Sequence, residues 1–161
     1  MAGSASRVSV DVFVEIPKGS RTKYELDKKT GRIRLDRVLF SSVHYPADYG
    51  FVTDTLAGDG DPLDALVIVE EPTFPGCIVP ARPIGTLLMR DSKGEDEKIL
   101  AVPVGDPRFD EINELTDLSK HWLREIETFF ATYKELEGDA VTLGGWQGAK
   151  TAWALIEKSR T

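Results

Sequence analysis

Three carboxylates fall within six residues at Asp59-Gly60-Asp61-Pro62-Leu63-Asp64. Like charges this close repel, and each ionised group must be solvated, paired or bound to a cation. Gly60 frees the backbone to bend and Pro62 fixes φ, so the segment reads as a rigid turn rather than a floppy acidic run. The apolar Ala65-Leu66-Val67-Ile68-Val69 follows at once, as a short buried strand would. The acids are therefore expected at a strand's mouth with something positive beside them. A solvated turn has the same Asp and Gly composition, so the loop alone leaves both readings open.

The rest of the chain narrows the cation. An EF-hand calcium loop would use Asp59, Asp61 and Glu70, but it needs a glycine where Asp64 stands and a solvated second half where Ala65 to Val69 run. Zinc prefers His and Cys, and His44 and His121 lack the spacing of a zinc site; both read as packing or surface residues. An all-carboxylate set suits magnesium, which commonly takes one or two carboxylates plus substrate phosphates. The expected substrate then contains phosphate.

Several elements must hold that loop. After a loose start at Met1 to Ser6, Val8, Val10, Val12 and Val14 alternate with Ser9, Asp11, Phe13 and Glu15 in a strand ended by Ile16-Pro17. Lys23-Tyr24-Glu25-Leu26 puts Lys23 and Glu25 on one face, and Asp27 to Gly31 turns the chain into a return strand, Arg32 to Arg37. Arg37 shares parity with Ile33 and Leu35, so it is expected to point with the apolar face and to need an anionic partner. Tyr45 and Tyr49 flank a turn, either as donors to an anion or as aromatic packing. Cys77 to Val79 and Arg82 to Arg90 read as two further strands. Asp91 to Asp96 reads as a hairpin whose four-residue loop sets those two acids opposite each other, with Lys98 on the face of Asp96, Leu100 and Val102. Past Pro107 the period changes to 3.6. Leu118, Trp122, Ile126, Phe129, Phe130 and Tyr133 stripe one helix from Leu118 to Leu136, and a short strand at Val141 to Leu143 leads through Gly144-Gly145 to a second helix bearing Ala149, Ala152, Trp153 and Ile156.

The 161 residues suit a single domain, 1–161, with one core. Apolar runs of only a few residues predict neither a membrane span nor a signal peptide, and so a cytoplasmic protein. The lone Cys77 excludes an intramolecular disulfide and reads as a small buried hydrophobe. A net charge of −7, from 20 Lys plus Arg against 27 Asp plus Glu, disfavours nucleic acid and anionic membranes as partners but not a small anion.

Over essentially its whole length the chain resembles the soluble family I inorganic pyrophosphatases of the short bacterial type. Asp59 to Ala65 fits the family signature D-[SGDN]-D-[PE]-hydrophobic-D-small at every position, and Glu15-Ile16-Pro17, Lys23-Tyr24-Glu25, Asp36-Arg37, Tyr45-Pro46, Tyr49-Gly50, Gly94-Glu95-Asp96 with Lys98, and Tyr133-Lys134 follow in the family's order. Ser92 departs from it, where an acid often stands beside the metal-binding aspartate. The resemblance implies an α+β fold, an OB-like five-stranded β-barrel with extra strands and two flanking C-terminal helices. It also implies a homohexamer and several magnesium ions per site. Asp59, Asp64 and Asp96 resemble the ligands of the first ion, Asp64 helps hold a second, Asp91 with Asp96 resembles the pair for a third, and Glu15 an outer ligand. Glu25 resembles an acid behind the metals that orients their water. Lys23, Arg37, Tyr49, Tyr133 and Lys134 resemble the phosphate-binding groups, with Lys98 beside them and Tyr45 at the edge of the pocket.

The implied reaction is magnesium-dependent hydrolysis of inorganic pyrophosphate to two orthophosphates, by in-line attack of a metal-bound water or hydroxide with Asp61 as general base. Two rivals stand beside it. A non-catalytic OB module for single-stranded nucleic acid would need a basic groove, which the charge disfavours. A metal-dependent nucleoside triphosphate hydrolase shares the site chemistry, and comparing pyrophosphate with ATP separates them.

Overall fold

The alternating valines do form a strand, β1 (Val10–Ile16), with Val10, Val12, Val14 and Ile16 buried. The computed structural model describes residues 9–161, so the start Met1 to Ser6 and Val8 of the expected strand lie outside the described residues. The hairpin β2 (Thr22–Asp27) and β3 (Arg32–Val38) follows, then β4 (Asp48–Val52), β5 (Asp64–Val67), β6 (Ile78–Asp91) and β7 (Gly94–Pro103). After two short 3-10 turns come α1 (Lys120–Thr132), β8 (Thr142–Gly148) and α2 (Ala149–Ser159).

Five strands close a ring in the order β1-β4-β5-β7-β6, completed by pairing of β6 back onto β1; this is the expected OB-like barrel with two C-terminal helices. β8 extends the sheet beyond β6, and β2–β3 form a separate two-stranded sheet. Only the β5–β7 pairing is parallel among the barrel's contacts, with Asp64 opposite Lys98.

Four local expectations change. The two strands expected around Pro80 are one, β6, because β1 pairs across Pro80 from Ile78 to Ala81 and β7 takes over at Ala81, with a register shift between Pro83 and Gly85 accommodating the second proline. Its first part pairs with β1 and its second with β8. The β6–β7 loop is Ser92-Lys93 alone: Gly94, at φ +117°, reverses the chain early, so Asp91 faces Gly94 and Asp96 faces Met89. β8 runs through Gly144-Gly145 rather than ending there, since Gly145 at φ +90° sits at the register shift against β6. Finally, α1 stops at Thr132 and Leu136 is exposed in a 3-10 turn (Glu135–Glu137) closed by Gly138 at φ +79°.

The single core resolves into two apolar layers, because a central strand has two buried faces. Leu66, Ile68, Leu100 and Val102 pack with Ile126, Phe129 and Phe130 of α1, while Ala65, Val67, Ile99 and Ala101 pack with the β1 valines and with Ala152 and Ile156 of α2. Burial on both faces is why Ala65 to Val69 is uniformly apolar. Cys77 is half-buried against the second layer rather than fully buried, its Sγ near the Ile78 carbonyl at the outer edge.

Candidate active site

The parallel pairing sets Asp64 beside Lys98, and the two-residue period of a strand puts Asp96 on Lys98's own face. Lys98 Nζ donates to Asp64 Oδ2 at 3.0 Å, Asp96 Oδ2 at 2.9 Å and the Tyr49 hydroxyl at 2.6 Å. Its side chain is 2 % exposed. Burial disfavours the ammonium, but Tyr49, Asp64 and Asp96 outweigh that cost and hold it well above its ordinary value. Burial, with Asp64 adjacent, lifts Asp96 above the usual carboxylate range despite Lys98. Tyr49 is pushed up by burial as well.

The acidic loop before β5 is a tight turn. Gly60 takes φ +87°, the Asp61 amide donates to Asp59 Oδ1 at 3.0 Å, and the Ala57 amide donates to the Asp61 carbonyl at 2.7 Å. Asp59 and Asp61 are exposed and Asp64 is half-buried, so the turn grades from solvent to core.

These groups share one cavity of about 490 Å³, lined also by Glu15, Lys23, Glu25, Tyr45, Asp91, Tyr133 and Lys134. Lys134 Nζ contacts Asp91 Oδ2 at 3.2 Å, which ties the β6–β7 hairpin to the end of α1. Burial opposes ionisation of Asp91, but the Lys93 amide and Lys134 hold its carboxyl low. Tyr45, Tyr49 and Tyr133 form a wall with Phe129 and Phe130, and burial raises the Tyr45 and Tyr133 phenols. Lys28, Lys93 and Glu95 line the cavity too. Sequence reasoning passed over them as hairpin-tip residues, although Lys93 and Glu95 flank Gly94 beside residues it did choose.

Arg37 is not among the cavity-lining residues. It is half-buried, with Nη1 2.7 Å from Asp36 and Nε 2.9 Å from Glu137 Oε1, so its anionic partners are the neighbouring Asp36 and the distant Glu137. The expected apolar face fails at Leu35, which is 60 % exposed: the hairpin is a separate sheet outside the barrel, and a register shift between Lys23 and Tyr24 offsets its faces. Lys23 pairs with Asp36 at 3.3 Å. Asp48 was missed entirely. Fully buried on β4, it accepts from the Lys18 and Thr73 amides and the Thr73 hydroxyl, a structural role with no local sequence signal.

The donor set fits a hard cation. Neither His nor Cys lines the cavity, His44 and His121 are exposed, and the anionic oxygens are carboxylates. Among the described residues no three such side chains form a ready-made cage.

A family model described as inorganic pyrophosphatase matches residues 12–161, which include every site residue named above. The chain belongs to the inorganic pyrophosphatase family. The inorganic pyrophosphatase of Halalkalibacterium halodurans is 54% identical over 149 residues, covering 92% of this chain and 91% of that protein. That of Methanosarcina acetivorans is 51% identical over 161 residues, covering 100% and 96%. The solved inorganic pyrophosphatase of Thermus thermophilus superposes with a TM-score of 0.92 at 44% identity, covering 94% of this chain and 88% of that one. No helix among the described residues is long and apolar enough to cross a membrane.

Within this pyrophosphatase fold Glu15 gives a pH signature. Its Oε2 accepts from the Leu26 amide at 2.8 Å, yet burial, with Asp64 and Glu25 nearby, pushes its pKa from 4.5 up to about 7. The folded state therefore holds the Glu15 proton more tightly than the unfolded chain, and the stability this confers is lost as pH rises from 4.5 through 7. Glu15→Gln is expected to stabilise the metal-free protein at pH 8 by about 1–3 kcal/mol and to change little at pH 4.5. Thermal unfolding in chelator at the two pH values checks it; an equal shift at both would remove burial of the charge as the cause.

Proposed function

We propose that the protein hydrolyses inorganic pyrophosphate to two orthophosphates, with magnesium as its cofactor and water attacking phosphorus in line. One observation carries this reading: a single cavity sets a carboxylate group of Asp59, Asp61, Asp64, Asp91, Asp96 and Glu15 against Lys23, Tyr133 and Lys134. The acids suit cations, and the two lysines with the Tyr133 hydroxyl suit the phosphates those cations accompany.

In this reading Asp59, Asp64 and Asp96 would hold the first magnesium, Asp64 would help hold a second, Asp91 with Asp96 would hold a third, and Glu15 would be an outer ligand. The chemistry magnesium supplies when bound is neutralisation of the multiply anionic substrate and a lower pKa for the attacking water. Asp61, exposed on the turn between Asp59 and Asp64, takes the proton from that water, and Glu25 orients it. Lys23, Tyr133 and Lys134 bind the phosphates and stabilise charge on the leaving one. Arg37 joins them by exchanging Glu137 for phosphate oxygen. Tyr45, packed at a tilt against Tyr49 and Phe129, holds the wall behind them.

The test is phosphate release from pyrophosphate with magnesium, with and without excess chelator, and with ATP as comparator. Release is expected to require the metal and to favour pyrophosphate. Turnover retained after the metal is stripped would sink the mechanism, and preference for ATP would sink the substrate. The same family reading supports a single-domain cytoplasmic protein that assembles as a homohexamer; a monomer mass in light scattering overturns the assembly without touching the activity.

A further inference from the structure

An ammonium group has three N–H donors and accepts nothing. In Lys98 all three are engaged, by Tyr49, Asp64 and Asp96, and the group is enclosed further by the Tyr49 and Phe130 rings, whose centroids lie 5.0 and 5.2 Å from Nζ. It has no donor to offer a phosphate without abandoning one of these partners. It has hardly any solvent-facing surface from which to offer one.

Two of its three partners are carboxylates from different strands, brought together only by the parallel β5–β7 pairing. Without a cation between them, Asp64 and Asp96 would repel across a half-buried gap. We propose that Lys98 is not a substrate contact but a positioning residue: a resident monocation that holds Asp64 and Asp96 together, and through the same clamp fixes the Tyr49 hydroxyl, until a divalent ion shares the two carboxylates. Lys98 takes Oδ2 of each acid, leaving each a second oxygen.

The inference rests on the proposal that these two aspartates bind magnesium, and it makes a counter-intuitive demand. Deleting the lysine should destabilise the metal-free protein yet strengthen its grip on magnesium, because a like charge beside the dication is gone. Lys98→Met is the main variant, with Lys98→Gln as the second because it keeps an amide donor at similar reach. Thermal midpoints are measured at pH 8 in chelator and in saturating magnesium, both without substrate, and magnesium binding is followed by calorimetry.

The expected result is a lower midpoint in chelator, a larger magnesium-induced rise than in the unmodified protein, and a magnesium Kd at least tenfold tighter. In turnover assays kcat falls while KM for pyrophosphate stays within a few-fold. A substrate-contact role gives the opposite pattern, an unchanged magnesium Kd with a raised KM. An unchanged or weaker magnesium affinity, or failure of both variants to fold even with magnesium, overturns the proposal. If the unmodified protein releases phosphate with magnesium but the variants show no such change, this inference fails alone. If the unmodified protein neither binds magnesium nor releases phosphate, the proposed function fails and takes the inference with it.

Discussion

Asp61→Asn is expected to lower the turnover of pyrophosphate by about a hundred- to ten-thousandfold, the range associated with loss of a general base. The substitution should leave the fold in place. The turn depends on the Asp59 side chain, the Asp61 backbone and Gly60, none of which changes, and no hydrogen bond among the described residues holds the Asp61 carboxylate. Asparagine keeps the size and loses the proton-accepting charge, so the loss should fall on kcat, with KM and magnesium affinity within a few-fold of the parent. Asp64→Asn should behave differently, because Asp64 is half-buried and bound to Lys98: magnesium affinity drops along with turnover. Near-normal turnover in Asp61→Asn would remove that residue from the base role, and a matching loss of magnesium affinity would make it a ligand instead.

How much of this could be read from the chain depends on whether the relevant partners are near in sequence. The acidic turn was legible because Gly60, Pro62 and the apolar run after Asp64 act locally, and the α1 stripe from Trp122 to Phe130 was legible because helical spacing is local too, although the helix starts at Lys120 rather than Leu118. Asp96 and Lys98 were correctly placed on one face, since a strand's period is two. That Lys98 would be the buried centre of the site was hidden, because it needs β5 and β7 to run parallel, a pairing between residues more than thirty positions apart. Arg37 shows the same limit. Its neighbour Asp36 was in view as an anionic partner, but no local signal reached Glu137, far along the chain beyond α1. The tight Ser92-Lys93 loop and the continuous β6 were misread for the converse reason: Gly94 and Pro80 looked like ordinary punctuation, and only the facing strand decides whether a ladder continues across them.

Gly50→Ala is expected to have the largest effect on stability. Gly50 sits on β4 with Val14 of β1 on one side and Ala65 of β5 on the other. A Cβ built there would lie 1.8 Å from the Phe13 carbonyl oxygen and 2.8 Å from its carbon, which are backbone atoms with no rotamer to yield. The methyl group can enter only by prising β1 from β4, and that seam is one of those that close the barrel. The cost should be about 3 kcal/mol or more, lowering the thermal midpoint by about 6–12 °C for a chain of this size. The damage should also reach the chemistry, because the same seam pairs Ile16 with Tyr49 across a register shift and carries Glu15 between Val14 and Ile16. Gly31→Ala is the contrast. Gly31 has φ +72° at the tip of the β2–β3 hairpin and no atom within 4 Å of a built Cβ, so its cost is conformational only, about 1 kcal/mol. Its turnover should match the parent's. If Gly50→Ala instead unfolds at the parent's temperature, β1 and β4 do not approach as closely as described, and Glu15 and Tyr49 owe their positions to something other than that contact.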